Sequence, residues 1–217
     1  TWFSGIESYP EGGYVRTFSK NGLENIIKEC GLDEYHFYYP YPDYKFPTTI
    51  FSDKRLPLKG ELSNNLRNFD RERLLLFNEK NAFDGLIEDG LFPVFSNSHM
   101  VIIGPDVNTE YVRYSNERSD DYAISTVMEN IDGKRVVRKY PLKPTAYQHI
   151  RDMENTYKKL TAKYEGSTLS ICPCKIVDID GVPVAEFDFI EGKTLTEIFD
   201  EKAFSGKYDN MDELAAK

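Results

Sequence analysis

The sequence predicts a mixed α/β chain in two successive parts, an α/β segment and then an α+β segment with an antiparallel sheet and one long helix. An amphipathic helix pattern at 20–30 leads directly to an aromatic strand pattern at 35–39, which is typical of an α/β unit. After 104–110 the pattern changes to short strands around polar turns, with one long helical pattern at 145–163. The length of 217 residues suffices for one large domain or two small ones.

The first part opens with an irregular, glycine-rich stretch at 1–18. In the helix at 20–30, Ser19 is a suitable N-cap and Gly31 a suitable stop. The strand at 35–39 is expected to end at Pro40, because proline donates no ladder hydrogen bond. Further elements are expected along the segment: loops at 41–70, a helix at 71–89 (with an ambiguous apolar run at 74–77) and a buried strand at 99–103.

The second part follows a polar boundary at 104–110. We expect strands at 111–115, 122–129, 136–140, 174–178 and 182–189, and helices at 145–163 and 194–201. Asp132-Gly133 and Asp180-Gly181 are hairpin turn signals. The predicted division is therefore a first domain at 1–105, a linker at 106–110 and a second domain at 111–217.

Composition narrows the function only broadly. Hydrophobic residues make up 40% and charged residues 29%, which is typical of a chain with a packed core. A net charge of −9 argues against broad nucleic-acid binding but does not exclude a local basic pocket. We expect no membrane span and no targeting segment, and hence a cytoplasmic location or one at the inner face of the membrane. Because the first residue is Thr1, we expect a preceding part of the protein.

The cysteines and histidines do not form a metal-site pattern. Cys172 and Cys174 lack a second pair to complete a zinc site, so buried thiols at a strand start are expected. The odd number of cysteines favours a reducing compartment without disulfides. The histidines are far apart in sequence, and core or surface roles are expected for them: His36, His99 and His149.

Three stretches of the first part carry a family resemblance, 16–23, 30–32 and 38–45. Together they resemble the late helix and sixth strand of class I S-adenosylmethionine-dependent methyltransferases of bacterial surface-glycan loci. The resemblance covers about 1–105. It implies the end of a Rossmann-like sheet, whose last two strands are an antiparallel pair, with 99–103 as the seventh strand.

The resemblance places the turn at 40–45 at the rim of an active site, because ligands bind beyond the carboxyl ends of parallel strands. Arg16, Tyr41, Asp43 and Tyr44 are then candidates to hold a sugar hydroxyl or a phosphate. The alternative is that the tyrosines pack and Asp43 caps a turn. The glycine-rich cofactor loop of the family is missing, so the chain is not expected to bind S-adenosylmethionine by itself.

The second part, three strands, a long helix and two strands, resembles the small lobe of the protein-kinase and aminoglycoside-phosphotransferase group. Val136-Val137-Arg138-Lys139 matches the strand-three motif that ends in a lysine for the nucleotide phosphates. Glu154 on the helix is the expected carboxylate partner of Lys139. The stretch 186–195 resembles the hinge that meets adenine, which makes Phe187 and Phe189 nucleotide-site candidates.

The sequence also departs from the kinase pattern. The first turn at 116–119 has no glycine-rich loop, which weakens a protein-kinase assignment more than a kinase-like one. Arg138 neighbours Lys139, and since strand residues alternate faces, only one of the two can face the nucleotide. The catalytic aspartate and the magnesium-binding aspartate would lie outside this chain, so the chain is not expected to catalyse phosphoryl transfer from ATP.

Together the two resemblances imply a bifunctional enzyme like those that terminate O-antigen chains, which phosphorylate a glycan end and then methylate the phosphate. Its partners would be a glycan or glycan-phosphate acceptor and a nucleotide, with peripheral association with the glycan-assembly machinery. Two alternatives stay open: a methyltransferase whose kinase-like part is an inactive binding module, and a non-enzymatic scaffold in glycan assembly.

Overall fold

The computed structural model describes residues 18–64, 79–115, 118–195 and 197–198. They form a mixed α/β fold around one eight-stranded sheet, in which all neighbouring strands are antiparallel. The strands are β1 (Tyr35–Tyr41), β2 (Thr49–Ser52), β3 (Met100–Ile103), β4 (Thr109–Ser115), β5 (Ile124–Ile131), β6 (Lys134–Pro141), β7 (Cys174–Ile179) and β8 (Val182–Asp188). The helices are α1 (Lys20–Glu29), α2 (Glu79–Glu88), α3 (Phe92–Phe95) and the long α4 (Tyr147–Lys163).

The strands lie in the order β3-β1-β2-β4-β5-β6-β8-β7. A first core surrounds β1 and β2, and a second core lies between α4 and β7 and β8. Because residues opposite each other in neighbouring strands share a face, the register puts both cores on the same side of the sheet. The first core contains Phe37, Tyr39, Phe51, Leu62 and Phe92, and the second contains Ile124, Ile150, Cys174 and Ala185.

Helix α1 forms where the sequence predicts it, with Ser19 and Gly31 at its ends. The Ser19 hydroxyl accepts a hydrogen bond from the Gly22 amide at 3.1 Å, which satisfies one of the open N–H groups of the first turn. At the other end Gly31 has a φ of 72°, a left-handed conformation that costs glycine little. One helix face is apolar: Ile27 is buried, and Leu23 packs against the first core.

Strand β1 continues past the residue where the sequence predicts its end. Pro40 pairs with Ile50 of β2, and the strand ends at Tyr41. On its other side β1 pairs with β3 only as far as Tyr38. At Pro40 that side has no strand partner, so the missing N–H removes no ladder hydrogen bond.

Two elements, β2 and α3, are missing from the sequence predictions, which give loops at 41–70 and no element at 90–98. Strand β2 occupies part of 41–70, and its Thr-Ile-Phe run is a β-favouring signal that the prolines on either side obscure. Helix α3 follows α2 after a short turn and has Pro93 at its start, a position that needs no N–H donor. The run at 74–77, the stretch at 1–17 and the end of the helix predicted at 194–201 lie outside the described residues.

The prediction that 99–103 is a buried strand is wrong in one respect. Strand β3 forms, but it lies at the edge of the sheet, and Met100 and Ile103 are exposed by 37% and 53%. The apolar sequence does not distinguish a central strand from an edge strand, because position in the sheet is a tertiary property.

The sheet runs continuously across the predicted linker at 106–110. β4 begins at Thr109 and pairs with β2 as well as β5. The connection from β3 crosses β1 and β2: the Tyr38 hydroxyl donates to the Thr109 carbonyl at 2.9 Å, and the Ser52 hydroxyl to the Glu110 carbonyl at 2.6 Å. The strands on both sides therefore belong to one sheet, and the division into two domains stays a prediction.

The elements after the boundary match their predicted order. At the β5–β6 and β7–β8 hairpins, Asp132 and Asp180 have positive φ values of 51° and 53°, and each is followed by a left-handed glycine, as an Asp-Gly turn requires. α4 packs on β7 and β8 through Ile150, which is fully buried. None of the described helices combines the length and apolar character of a membrane span.

Candidate functional site

The end of β1 and the turn after it contain three of the four residues predicted to bind the methyl-acceptor substrate: Tyr41, Asp43 and Tyr44. One Asp43 carboxylate oxygen accepts hydrogen bonds from the amides of Lys45 at 2.7 Å and Phe46 at 3.1 Å. This is the turn-capping contact of the alternative interpretation, and it leaves the second carboxylate oxygen of Asp43 outside the turn hydrogen bonds. The fourth candidate, Arg16, lies outside the described residues.

The two candidate tyrosines of this turn differ in environment. Tyr41 is half-buried with its ring 5.9 Å from that of Phe83, and burial raises the pKa of its hydroxyl. Tyr44 is 59% exposed, and its neighbour Phe46 is 62% exposed. Tyr41 is therefore mainly a packing residue, whereas Tyr44 and Phe46 present flat rings to the outside.

The segment between α3 and β3 braces the same turn. The Tyr44 amide donates to the buried Ser98 hydroxyl at 3.0 Å, and the Asn97 side chain donates to the Pro42 carbonyl at 3.3 Å. Two hydrogen bonds from distant parts of the sequence therefore hold the exposed aromatic surface in place. Sequence reasoning did not identify Asn97 or Ser98, because no local pattern links them to 42–44.

A second polar cluster, also missed from the sequence, lies beside the first core. The Lys20 ammonium lies 3.0 Å from the Asp53 carboxylate and 5.0 Å from the centre of the Phe37 ring. The fully buried Tyr39 donates its hydroxyl to Asp53 at 2.5 Å, and burial followed by that bond raises its pKa. These contacts fasten the start of α1 to β1 and to the end of β2.

The nucleotide site predicted from the sequence centres on β6, which carries four cationic side chains. Lys134 pairs with Asp188 at 2.6 Å. Arg135 pairs with the buried Glu110 at 2.8 Å, but without the alignment of a hydrogen bond. The other two, Arg138 and Lys139, lie on opposite faces of the sheet because neighbouring strand residues alternate.

Arg138 is fully engaged on the face away from α4. Its guanidinium donates to Glu186 at 2.7 and 2.8 Å and to Glu129 at 3.0 Å. Tyr140 donates to Glu129 as well, and Lys175 pairs with Glu186 at 2.8 Å. Burial disfavours the ionised form of Glu186, but the hydrogen bonds from Lys175 and Arg138 outweigh it and hold its pKa below the usual range.

Lys139 lies on the face that α4 covers. It is half-buried, its ammonium is 5.5 Å from the centre of the Phe187 ring, and it forms no ion pair within the described part of the chain. Burial, followed by the charge of Arg118, lowers its pKa. Among the four cations of β6, Lys139 is therefore the one left to interact with an anionic ligand.

The predicted pair of Lys139 and Glu154 does not form as an ion pair. Glu154 instead pairs with Lys158 on its own helix at 3.1 Å. The charges of Glu154 and Lys139 both affect the buried Cys174. Burial and then Glu154 raise the pKa of its thiol to about 11, while Lys139 acts in the opposite direction. Lys139 and Glu154 thus both act on the thiol of Cys174.

The two candidate phenylalanines occupy different positions. Phe187 packs against the second core and contacts Lys139. Phe189 follows the end of β8, and the Arg135 guanidinium lies 5.3 Å from the centre of its ring. The structure thus brings Phe187 to the predicted nucleotide lysine and Phe189 to the neighbouring, paired arginine.

No group of three or more histidine, cysteine, aspartate or glutamate side chains among the described residues is placed to hold a metal ion. The three cysteines are free thiols. Cys174 is buried at the start of β7, as predicted, whereas Cys172 precedes the strand and is only part-buried.

Comparisons with family models, curated proteins and solved structures give no match to this chain. The geometry of its own residues therefore carries the functional proposal.

Proposed function

We propose that the second part of this chain is the nucleotide-binding small lobe of a kinase-like domain. We also propose that the first part closes a methyltransferase-like sheet, in an enzyme that acts on a surface glycan or its terminal phosphate. ATP and S-adenosylmethionine would be the cofactors of the whole protein.

One observation carries the nucleotide proposal: Lys139 is an unpaired, half-buried cation on the face that packs against the long helix. Arg138, the neighbouring cation, is held by two carboxylates on the opposite face. Keeping a buried lysine unpaired costs free energy, and an anionic ligand offsets that cost. The lowered pKa of Lys139 agrees with a cation that lacks a counter-charge.

The surroundings of Lys139 favour a nucleotide over a simple anion. Val137 and Lys139 share one face of β6, and Val137 is opposite the partly buried Phe187 of β8. An apolar strip beside a single ammonium suits a base and its phosphates. In this arrangement the Lys139 ammonium binds the phosphates as a point charge. Because α4 packs on the same face of the sheet, it shields the ammonium from water.

The glycan proposal rests on the turn after β1. β1 and β3 form an antiparallel pair and α1 precedes them, which agrees with the closing strands of a methyltransferase sheet. The exposed rings of Tyr44 and Phe46 offer flat apolar faces for the C–H groups of a sugar. Asp43 precedes these rings in the same turn, and its second carboxylate oxygen, which is outside the turn hydrogen bonds, is the candidate to accept from a sugar hydroxyl.

The nucleotide proposal is tested by calorimetric titration of the 217-residue chain with MgATP. We expect Lys139→Ala to weaken binding at least about tenfold, since a charge-assisted contact to phosphate is lost. Lys134→Ala is the matched control: it removes the same charge from the same strand on the other face, where the side chain is 68% exposed. Equal affinities for wild type and Lys139→Ala would refute the proposal.

The methyltransferase half has its own measurement. Equilibrium dialysis with labelled S-adenosylmethionine is expected to show no binding by this chain, because the sequence lacks the glycine-rich cofactor loop. Saturable binding would contradict the proposed division of the cofactor site.

A further inference from the structure

The connection between β4 and β5 is docked on the first turn of α4. The ring of Tyr122 lies 5.0 Å from the ring of His149 in an edge-on arrangement. On the other side of this contact, Lys143 pairs with Asp120 at 2.7 Å. The connection also contains Arg118, so its docking brings Arg118 and His149 to the same end of β6 as Lys139.

The charges of these three residues act on one another. Burial and then Arg118 lower the pKa of Lys139; burial, then Arg118 and Lys139, lower the pKa of His149. Within the described residues Arg118, like Lys139, has no ion-pair partner. Asp152 of α4 opposes the effect on His149, but one of its oxygens accepts from Gln148 at 2.9 Å. These two cations can therefore interact with an anion, although the chain as a whole has a net charge of −9.

A polar atom at the same place lacks a partner. Nε2 of His149 is buried and has no hydrogen-bond partner in the described part of the chain. Leaving such an atom unsatisfied costs free energy, which a bound ligand recovers. This observation is independent of the charges, and both point to an anion with acceptor oxygens.

We infer that Arg118, Lys139 and His149 form a phosphate-binding site, in which Arg118 takes the place of the missing glycine-rich loop. The inference rests on the proposed nucleotide function for the identity of the ligand, the phosphates of a nucleoside triphosphate. A glycine-rich loop binds phosphate through backbone amides, whereas an arginine in the same turn binds it with a charged, forked donor. His149 donates from Nε2 to a phosphate oxygen.

The site has a pH signature. The groups that face His149 are Arg118 and Tyr122 of the connection, Lys139 of β6 and Asp152 of its own helix. Burial, and then the charges of Arg118 and Lys139, lower the pKa of His149 in the free protein, whereas a phosphate among these groups favours the imidazolium. We therefore expect binding to raise the pKa of His149, so that affinity increases as the pH falls from 8 toward 6.

The experiment compares tripolyphosphate, ATP and adenosine as probes of the full chain, with wild type, Arg118→Gln, Lys139→Ala and His149→Gln. We expect Arg118→Gln to weaken tripolyphosphate and ATP about tenfold and leave adenosine unchanged. Arg151→Gln is the control, because it removes the same charge from an exposed position on α4. Arg118→Lys is expected to restore part of the affinity, and NMR titration of the imidazole follows the pKa of His149.

The outcomes separate this inference from the proposed function. ATP binding that requires Lys139 but not Arg118 overturns the phosphate site and leaves the nucleotide function standing. A second outcome is that tripolyphosphate binds only when Arg118 is present, adenosine does not bind, and ATP binds no more tightly than tripolyphosphate. This outcome supports the phosphate site and refutes the nucleotide function. An equal loss in Arg151→Gln, or an unchanged His149 pKa on tripolyphosphate binding, also overturns the inference.

Discussion

Replacing Arg138 by methionine is expected to destabilise the fold strongly, because it leaves two carboxylates together without their shared cation. The side chains of Arg138, Glu129 and Glu186 are only 19%, 15% and 12% exposed. Removing one partner from a buried ion pair costs about 3–5 kcal/mol, whereas exposed pairs contribute about 0–1 kcal/mol. Since Lys175 still neutralises Glu186 in part, we expect a loss of about 2 kcal/mol in the free energy of unfolding.

Urea denaturation followed by circular dichroism measures this loss, with a pH series as a second test. The pKa of Glu186 is lowered in the native protein, so its contribution to stability is present above the pKa of the unfolded chain and is lost as the pH falls through the native pKa. The difference between wild type and Arg138→Met is therefore largest near pH 7. It narrows as the pH falls through the lowered native pKa of Glu186.

The matched control adds Glu129→Gln and Glu186→Gln to Arg138→Met. Without the unpaired charges, stability is expected to return to within about 1 kcal/mol of wild type. A loss below about 0.5 kcal/mol in Arg138→Met, or one that is independent of pH, would show that the network is only a set of surface pairs.

Three further predictions concern packing, thiol reactivity and turn geometry. Ile150→Ala truncates a fully buried side chain between α4 and the sheet, so we expect the free energy of unfolding, measured by urea denaturation, to fall by about 3 kcal/mol. For Ile150→Val we expect a fall of only about 1 kcal/mol. Equal losses in the two variants would argue against a packed site. At pH 8 a thiol reagent is expected to label the exposed Cys30 well before Cys174, whose thiol has a pKa of about 11; rapid native labelling of Cys174, measured by mass spectrometry, would contradict its burial. Gly133→Ala places a side chain at a φ of 81°, so we expect it to lower the free energy of unfolding by about 1 kcal/mol. Gly85→Ala, in the helix α2, is the control and is expected to raise the free energy of unfolding by up to about 1 kcal/mol. An unchanged stability of Gly133→Ala would count against the left-handed turn.

Local signals predicted the second part of the chain well. The apolar spacing of α4, the two Asp-Gly turns and the strand patterns around them depend on interactions between residues close in sequence. The same is true of α1 with Ser19 and Gly31 at its ends. These elements form where they are predicted because capping, turn conformation and periodicity are short-range effects.

The candidate sites were predicted less completely. The motif at 136–139 favours Lys139 over Arg138 as the nucleotide lysine, and the structure shows that Arg138 is bound by Glu129 and Glu186 on the opposite face. The expected partner Glu154 was placed on the correct helix, but its pairing with Lys158 depends on the rotation of α4 against the sheet. No sequence pattern related Arg118 to His149, because their proximity depends on how the β4–β5 connection docks on α4.

The sequence by itself therefore determined most of the element types and their order, and the antiparallel strands with one long helix of the second part, but it did not predict β2 or α3. Only the tertiary structure decided that β3 is an edge strand, that β1 runs through Pro40, and that one sheet spans the predicted boundary. The reason is that strand position and the pairing of charges depend on contacts between residues far apart in sequence. Such contacts form only when the strands come together, and no local pattern records which strands will be neighbours.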